Sequence, residues 1–180
     1  MKAVLISIKP KYVELIANGE KTIEVRKTAP KEVPFKAYIY ETKGATEMPW
    51  VDEDGHFIYK GRGQVIGEFV CDKVYSIKNQ GSRFSVADEE QGVTNEIARQ
   101  SCLEYDDMVG YLGNKDGYGL HITALKIYDK PKELREFKRW NRTEENAPCA
   151  HTKWLYPDCK DCKACNLTRP PQSWCYVEEL

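Results

Sequence analysis

Between Ala3 and Lys27 the hydrophobic pattern changes period twice. Apolar alternation marks Ala3 to Ile8 as a strand. From Pro10 the positions of Tyr12, Val13, Leu15, Ile16 and Ala17 give a short helix with one buried side, and Gly19 supplies the left-handed residue that ends it. The chain then turns straight into a strand, Lys21 to Lys27. Its two-residue period puts Ile23 and Val25 on one face and Thr22, Glu24 and Arg26 on the other. A polar strand face therefore lies beside a helix C-terminus.

Further along, Pro30 and Pro34 bracket a turn, and Phe35 to Thr42 alternates as a strand. Gly44 to Gly63 reads as a polar loop or hairpin holding a short apolar stretch, His56 to Tyr59. Gln64 to Ser76 is a long strand with a bend or bulge expected at Gly67. Residues 85–113 change to a helical character. Ser101 and Glu104 stand in capping-box spacing ahead of Tyr105, Met108, Val109 and Leu112, with Gly113 as the stop. Tyr118 to Tyr128 returns to alternation, and Asp129-Lys130-Pro131 opens a last helix through about Trp140. The class is α+β, with a helical insert at about residues 85–113.

The 180 residues suit one domain, residues 1–140, and a small appendage, residues 141–180. With 27 basic against 28 acidic residues, bulk charge attracts neither nucleic acid nor an acidic membrane, so RNA binding requires a local basic patch. Apolar runs fall far short of a membrane span. The first residues, MKAVLISIKPKYV, run into the amphipathic pattern without a cleavage region, and a cytoplasmic location is the expectation.

Five of the seven cysteines fall between Cys149 and Cys175. Cys159, Cys162 and Cys165 form a C-x2-C-x2-C core, and such spacing places thiolates on one tetrahedral zinc. Cys149 is the expected fourth ligand, with Cys175 or His151 as substitutes. Asp158 to Asn166 holds almost no apolar residues, so burial cannot order it and a structural zinc would. An iron–sulfur cluster is the alternative, against which Arg169 stands where a further cysteine belongs. Unmetallated thiols are the third reading.

The run Lys9, Pro10, Leu15, Ile16, Gly19, Lys21, Thr22, Glu24 and Arg26 fits K-P-x(4)-L-I-x-x-G-x-K-T-x-E-x-R, which resembles the signature of the ASCH domain, a branch of the PUA-like superfamily. The segments starting at Gly63 (GQVIGEFVCDKVYSI) and Tyr118 (YGLHITALKIYDKPKEL) also resemble closing strands of that domain. The likeness implies a small PUA-like β-barrel with flanking helices, and a cleft lined by Lys9, Lys21, Thr22, Glu24 and Arg26. Similar small bacterial members hydrolyse an acetylated cytidine with the motif lysine, a threonine three residues later and a glutamate from a later strand. Here Glu24 replaces that threonine, and strand parity turns Thr22 away from Lys21.

Capture of RNA or of one nucleotide or nucleoside in that cleft is the preferred expectation, with Lys9, Lys21 and Arg26 meeting phosphate or base. The second is a hydrolase of a modified nucleoside or of RNA, with Lys21, Glu24 and Glu68 as its acid/base set. The third is a protein-interaction module built on the zinc tail. Glu68 shares parity with Ile66 and Val70; pointing inward, it would need Lys21 or Arg26 as partner. His121 reads as a hydrogen-bonded rather than a catalytic histidine. An exposed Glu24–Arg26 pair worth no more than about 1 kcal/mol is the purely structural alternative for the polar face.

Overall fold

The computed structural model describes residues 1–44, 61–80, 84–86, 91–140 and 166–180. Its elements run β1 (Lys2–Ile8), α1 (Pro10–Ala17), β2 (Ile23–Arg26), β3 (Phe35–Glu41), β4 (Val65–Cys71), β5 (Val74–Asn79) and β6 (Phe84–Val86). They continue with α2 (Gln91–Ser101), α3 (Tyr105–Leu112), β7 (Gly117–His121), β8 (Thr123–Lys132), a 3-10 turn at Leu134–Glu136, and β9 (Trp174–Glu178). The chain divides into two compact units, residues 1–10, 36–68 and 127–180 in the first and residues 11–35 and 69–126 in the second.

In the first unit β1 is the hub of a five-stranded sheet of order β8-β4-β3-β1-β9. It runs parallel to β3, from Val4 opposite Ala37 to Ile8 opposite Glu41, and antiparallel to β9, from Lys2 opposite Glu178 to Ile6 opposite Trp174. Every β1 residue after Lys2 is buried. That two-sided burial explains why the run AVLISI is apolar almost throughout, where a half-exposed strand would interpose polar residues. Leu5, Tyr38, Tyr40, Phe137 and Val177 share its core, with the Tyr38 and Phe137 rings edge-on at 4.9 Å.

The second unit carries the sheet β2-β7-β5-β6. Ile23 and Val25 of β2 enter a core with Ile77, Ile97, Met108 and Leu112, and Tyr12 and Tyr75 pack on its margin. Helix α1 ends in a Schellman turn. Gly19 adopts φ +75°, its N–H reaches the Ile16 carbonyl at 3.0 Å, and the Glu20 N–H reaches the Leu15 carbonyl at 2.9 Å.

Several expectations need correction. The described residues form two sheets and no closed barrel. The reason lies in two strands read as continuous. Gln64–Ser76 breaks at Asp72-Lys73, and Tyr118–Tyr128 breaks at Ile122, so that each gives one piece to each sheet. The two breaks are joined by polar contacts: His121 Nδ1 lies 2.7 Å from Asp72 Oδ1, and the His121 N–H donates to the Lys73 carbonyl at 3.0 Å. Gly67, where a bend or bulge is expected, lies within β4.

The helix expected from Asp129 to Trp140 is also replaced. β8 continues through Pro131 to Lys132, and only Leu134–Glu136 turns, capped reciprocally by Glu133 and Glu136. β8 stands at the end of its sheet, where a residue lacking an N–H is tolerated. In the helical insert Ser101 closes α2 and caps nothing, while Glu104 is the N-cap of α3; Cys102, at φ +50°, breaks the helix between them.

No helix among the described residues is long and apolar enough to cross a membrane. The stretch His56–Tyr59, residues 141–165 just beyond the expected boundary, and with them Cys149, His151, Cys159, Cys162 and Cys165, lie outside the described residues. Residues 174–178 of the tail join β1 as a sheet strand.

Candidate functional site

The polar face of β2 is buried. Lys21 is 2%, Glu24 5% and Arg26 5% exposed. Lys21 stands just before the strand. The Schellman turn sends its N–H back to the Leu15 carbonyl at 3.0 Å, and its side chain extends to the C-terminus of α2, where Nζ donates to the Ser101 carbonyl at 2.5 Å. A helix C-terminus presents unpaired carbonyls and partial negative charge, so an ammonium is favoured there. Thr22 strengthens the same junction, its N–H donating to the Gln100 carbonyl at 2.9 Å.

Glu24 bridges two cations. Its Oε2 lies 3.4 Å from Lys21 Nζ and its Oε1 2.8 Å from an Arg26 terminal nitrogen. The Tyr12 ring forms a wall, with Lys21 Nζ 5.1 Å from its centroid. Burial pulls the Lys21 ammonium below its usual range, a shift that Glu24 opposes and Arg26 reinforces. Burial first, then Asp107 and Glu24, pushes the Tyr12 phenol up, so the ring keeps its proton as a donor. Three charged side chains withdrawn from water persist only where they are mutually paired. Among the described residues, Glu24 is the carboxylate that the two cations share. The ammonium and guanidinium are hydrogen-bond donors and the carboxylate is an acceptor, so the cluster presents both kinds of group side by side.

A family model for the ASCH domain matches residues 6–169, nearly the whole chain. The chain belongs to the ASCH domain family. Among solved structures it is similar to ASCH from Zymomonas mobilis, at 15% identity and a TM-score of 0.57, covering 98% of this chain and 88% of that one. Crystal structures of two mutant proteins of the same Zymomonas ASCH match with the same TM-score at 15% and 14% identity, covering 99% and 98% of this chain and 92% and 89% of theirs. At that identity the likeness concerns the fold. Comparison with curated proteins gives no match.

Within this ASCH chain the expected site residues are distributed unevenly. Lys21, Glu24 and Arg26 meet as described. Thr22 engages the junction through its backbone, whose carbonyl accepts from the Ile122 N–H at 2.8 Å. Lys9 is exposed, after β1 in the first unit. Glu68 also belongs to the first unit, where it accepts from the Tyr128 hydroxyl at 2.6 Å and lies 3.5 Å from Lys36 Nζ.

Cys175 sits in β9 opposite Leu5, a half-buried thiol that burial pushes upward. Among the described residues no group of three or more His, Cys, Asp or Glu is placed to hold a metal ion.

Tyr12 and Ser101 are the participants that sequence reasoning missed as site residues. Tyr12 reads as part of an apolar helix side, and its hydroxyl was its only signal. Ser101 contributes a backbone carbonyl, which no side-chain pattern marks.

Proposed function

We propose that the Lys21–Glu24–Arg26 cluster recognises a single unstacked nucleotide or nucleoside of RNA. The observation that carries this reading is the Glu24 carboxylate shared between two buried cations, at 3.4 Å and 2.8 Å. Base edges present both acceptors and amino donors, which the cations and the carboxylate complement respectively. Tyr12 offers a neutral ring beside them for stacking. ASCH membership and the polar strand face support the assignment; net charge does not.

The test uses a variant without buried charge, Lys21→Met/Glu24→Gln/Arg26→Met, because removing one member alone strands the others. Short single-stranded RNA is titrated by fluorescence anisotropy at two salt concentrations, and folding is followed by circular dichroism. A folded triple variant that has lost salt-sensitive binding supports the reading. Wild-type affinity in the folded triple variant rejects it.

One observation favours a second reading, hydrolysis of a modified nucleoside. A lysine pulled down by burial beside a carboxylate is a candidate base, with Glu24 in place of the threonine hydroxyl. Release of acetate from acetylated cytidine, lost in Lys21→Met, would favour catalysis; no turnover across the pH range would exclude it. For the tail we propose a structural zinc on Cys149, Cys159, Cys162 and Cys165. Elemental analysis should find about one zinc per chain, lost in Cys159→Ala/Cys162→Ala; a metal-free wild type with an unchanged melting temperature would remove the proposal.

A further inference from the structure

The first unit contains a cavity of about 710 Å³, within the range of small-molecule sites. Its lining is drawn from β3, the turn after β8 and the segment before β9. Tyr40, Leu134 and Leu167, all buried members of the first unit's core, give it an apolar floor. Thr42 and Thr168 add hydroxyls, and Lys43 and Arg135 add two cations.

Among the described lining residues the one carboxylate is already committed. Glu133 accepts from the Gln64 amide at 2.5 Å and caps the Glu136 backbone N–H. Lys43 is positioned by its neighbour Gly63, which holds φ +71°. A Cβ at position 63 would lie 2.5 Å from Lys43 Cγ and 2.4 Å from Cε, so the lysine stem occupies space that only a glycine leaves open. Two cations above an apolar floor, flanked by hydroxyls, match an anion attached to a flat ring.

We propose that this cavity is a second binding site, taking a small phosphorylated ring compound of the nucleoside monophosphate class. The ring rests on Tyr40, Leu134 and Leu167. The phosphate meets Lys43 and Arg135, and the sugar hydroxyls meet Thr42 and Thr168. The site is independent of the cluster around Lys21, and its chemistry is supplied equally by a free nucleotide or by the phosphorylated end of an RNA strand.

Isothermal titration of the full chain with adenosine monophosphate, adenosine and inorganic phosphate tests the proposal. The monophosphate should bind more tightly than either fragment. Its affinity should fall at least about tenfold in Lys43→Ala/Arg135→Ala, where two charge-assisted contacts are lost from exposed positions. Competition by a 5′-phosphorylated trinucleotide would identify RNA ends as a source, and absence of competition would leave the free nucleotide. Either no saturable binding of the monophosphate or equal affinity in the double variant would overturn it. The second outcome would move the nucleotide to the Lys21 cluster and leave the RNA reading standing.

Discussion

Two ion clusters of this protein share a plan and differ in balance. Around Lys21, one carboxylate serves two cations, all nearly inaccessible to water. Around Lys36, one ammonium serves two carboxylates, Glu68 at 3.5 Å and Glu179 at 3.2 Å, and all three side chains keep a fifth or more of their surface exposed. Burial lowers Lys21 overall. At Lys36 burial pulls the same way, yet the Glu179 hydrogen bond, with Tyr38 and Glu68 beside it, more than offsets this and the net shift is upward. The number of carboxylates per ammonium, together with solvent, decides the sign. The Lys21 cluster thus holds its ammonium against burial, whereas in the Lys36 cluster the partners outweigh burial and act as a clasp.

The comparison is tested most severely at Glu24. Glu24→Ala leaves two buried cations without their shared counter-charge and should cost roughly 3–5 kcal/mol of stability by urea denaturation. A loss below about 1 kcal/mol would mean that water reaches the cluster. Next comes pH. Because the folded state holds the Lys21 proton less tightly than the unfolded chain, unfolding takes up a proton in the interval between the lowered value and the ordinary 10.5. Wild-type stability, measured against Lys21→Met, should therefore rise with pH there, by at most about 1.4 kcal/mol per pH unit. A difference that stays flat or falls would show the ammonium to be well solvated or better paired. The smallest effect belongs to Lys36→Ala, expected to cost less than about 1 kcal/mol in the same denaturation experiment, since its pairs are partly screened. A cost matching that of Glu24→Ala would erase the distinction between the clusters.

Much of the second unit's beginning was legible in the chain. The change from helical to strand period between Pro10 and Lys27 set out α1, the left-handed Gly19 and β2, and the charges in that stretch named Lys21, Glu24 and Arg26. Burial of the polar face was not legible, because it depends on α2, whose last carbonyl captures Lys21 from 80 positions away. The broken strands were equally hidden. Apolar runs on either side of Asp72-Lys73 and of Ile122 look continuous, since residue types set a strand's period and long-range pairing decides where it changes sheets. Pro131 misled in the opposite direction, since a proline that opens helices also fits a strand at the end of a sheet. Glu68 shows the limit of parity arguments: its neighbours Tyr128 and Lys36 come from strands whose register no local pattern records.

The pairing of Lys2 with Glu178 and of Ile6 with Trp174 also bears on biosynthesis. β1 leaves the ribosome well before its β9 partner, which emerges more than 160 residues later. At a synthesis rate of about 5–20 residues per second, one apolar edge of the hub strand waits for seconds without its partner. Nascent chains stalled before Trp174 should be the aggregation-prone species, and a chaperone that shields strand edges would find its work at β1.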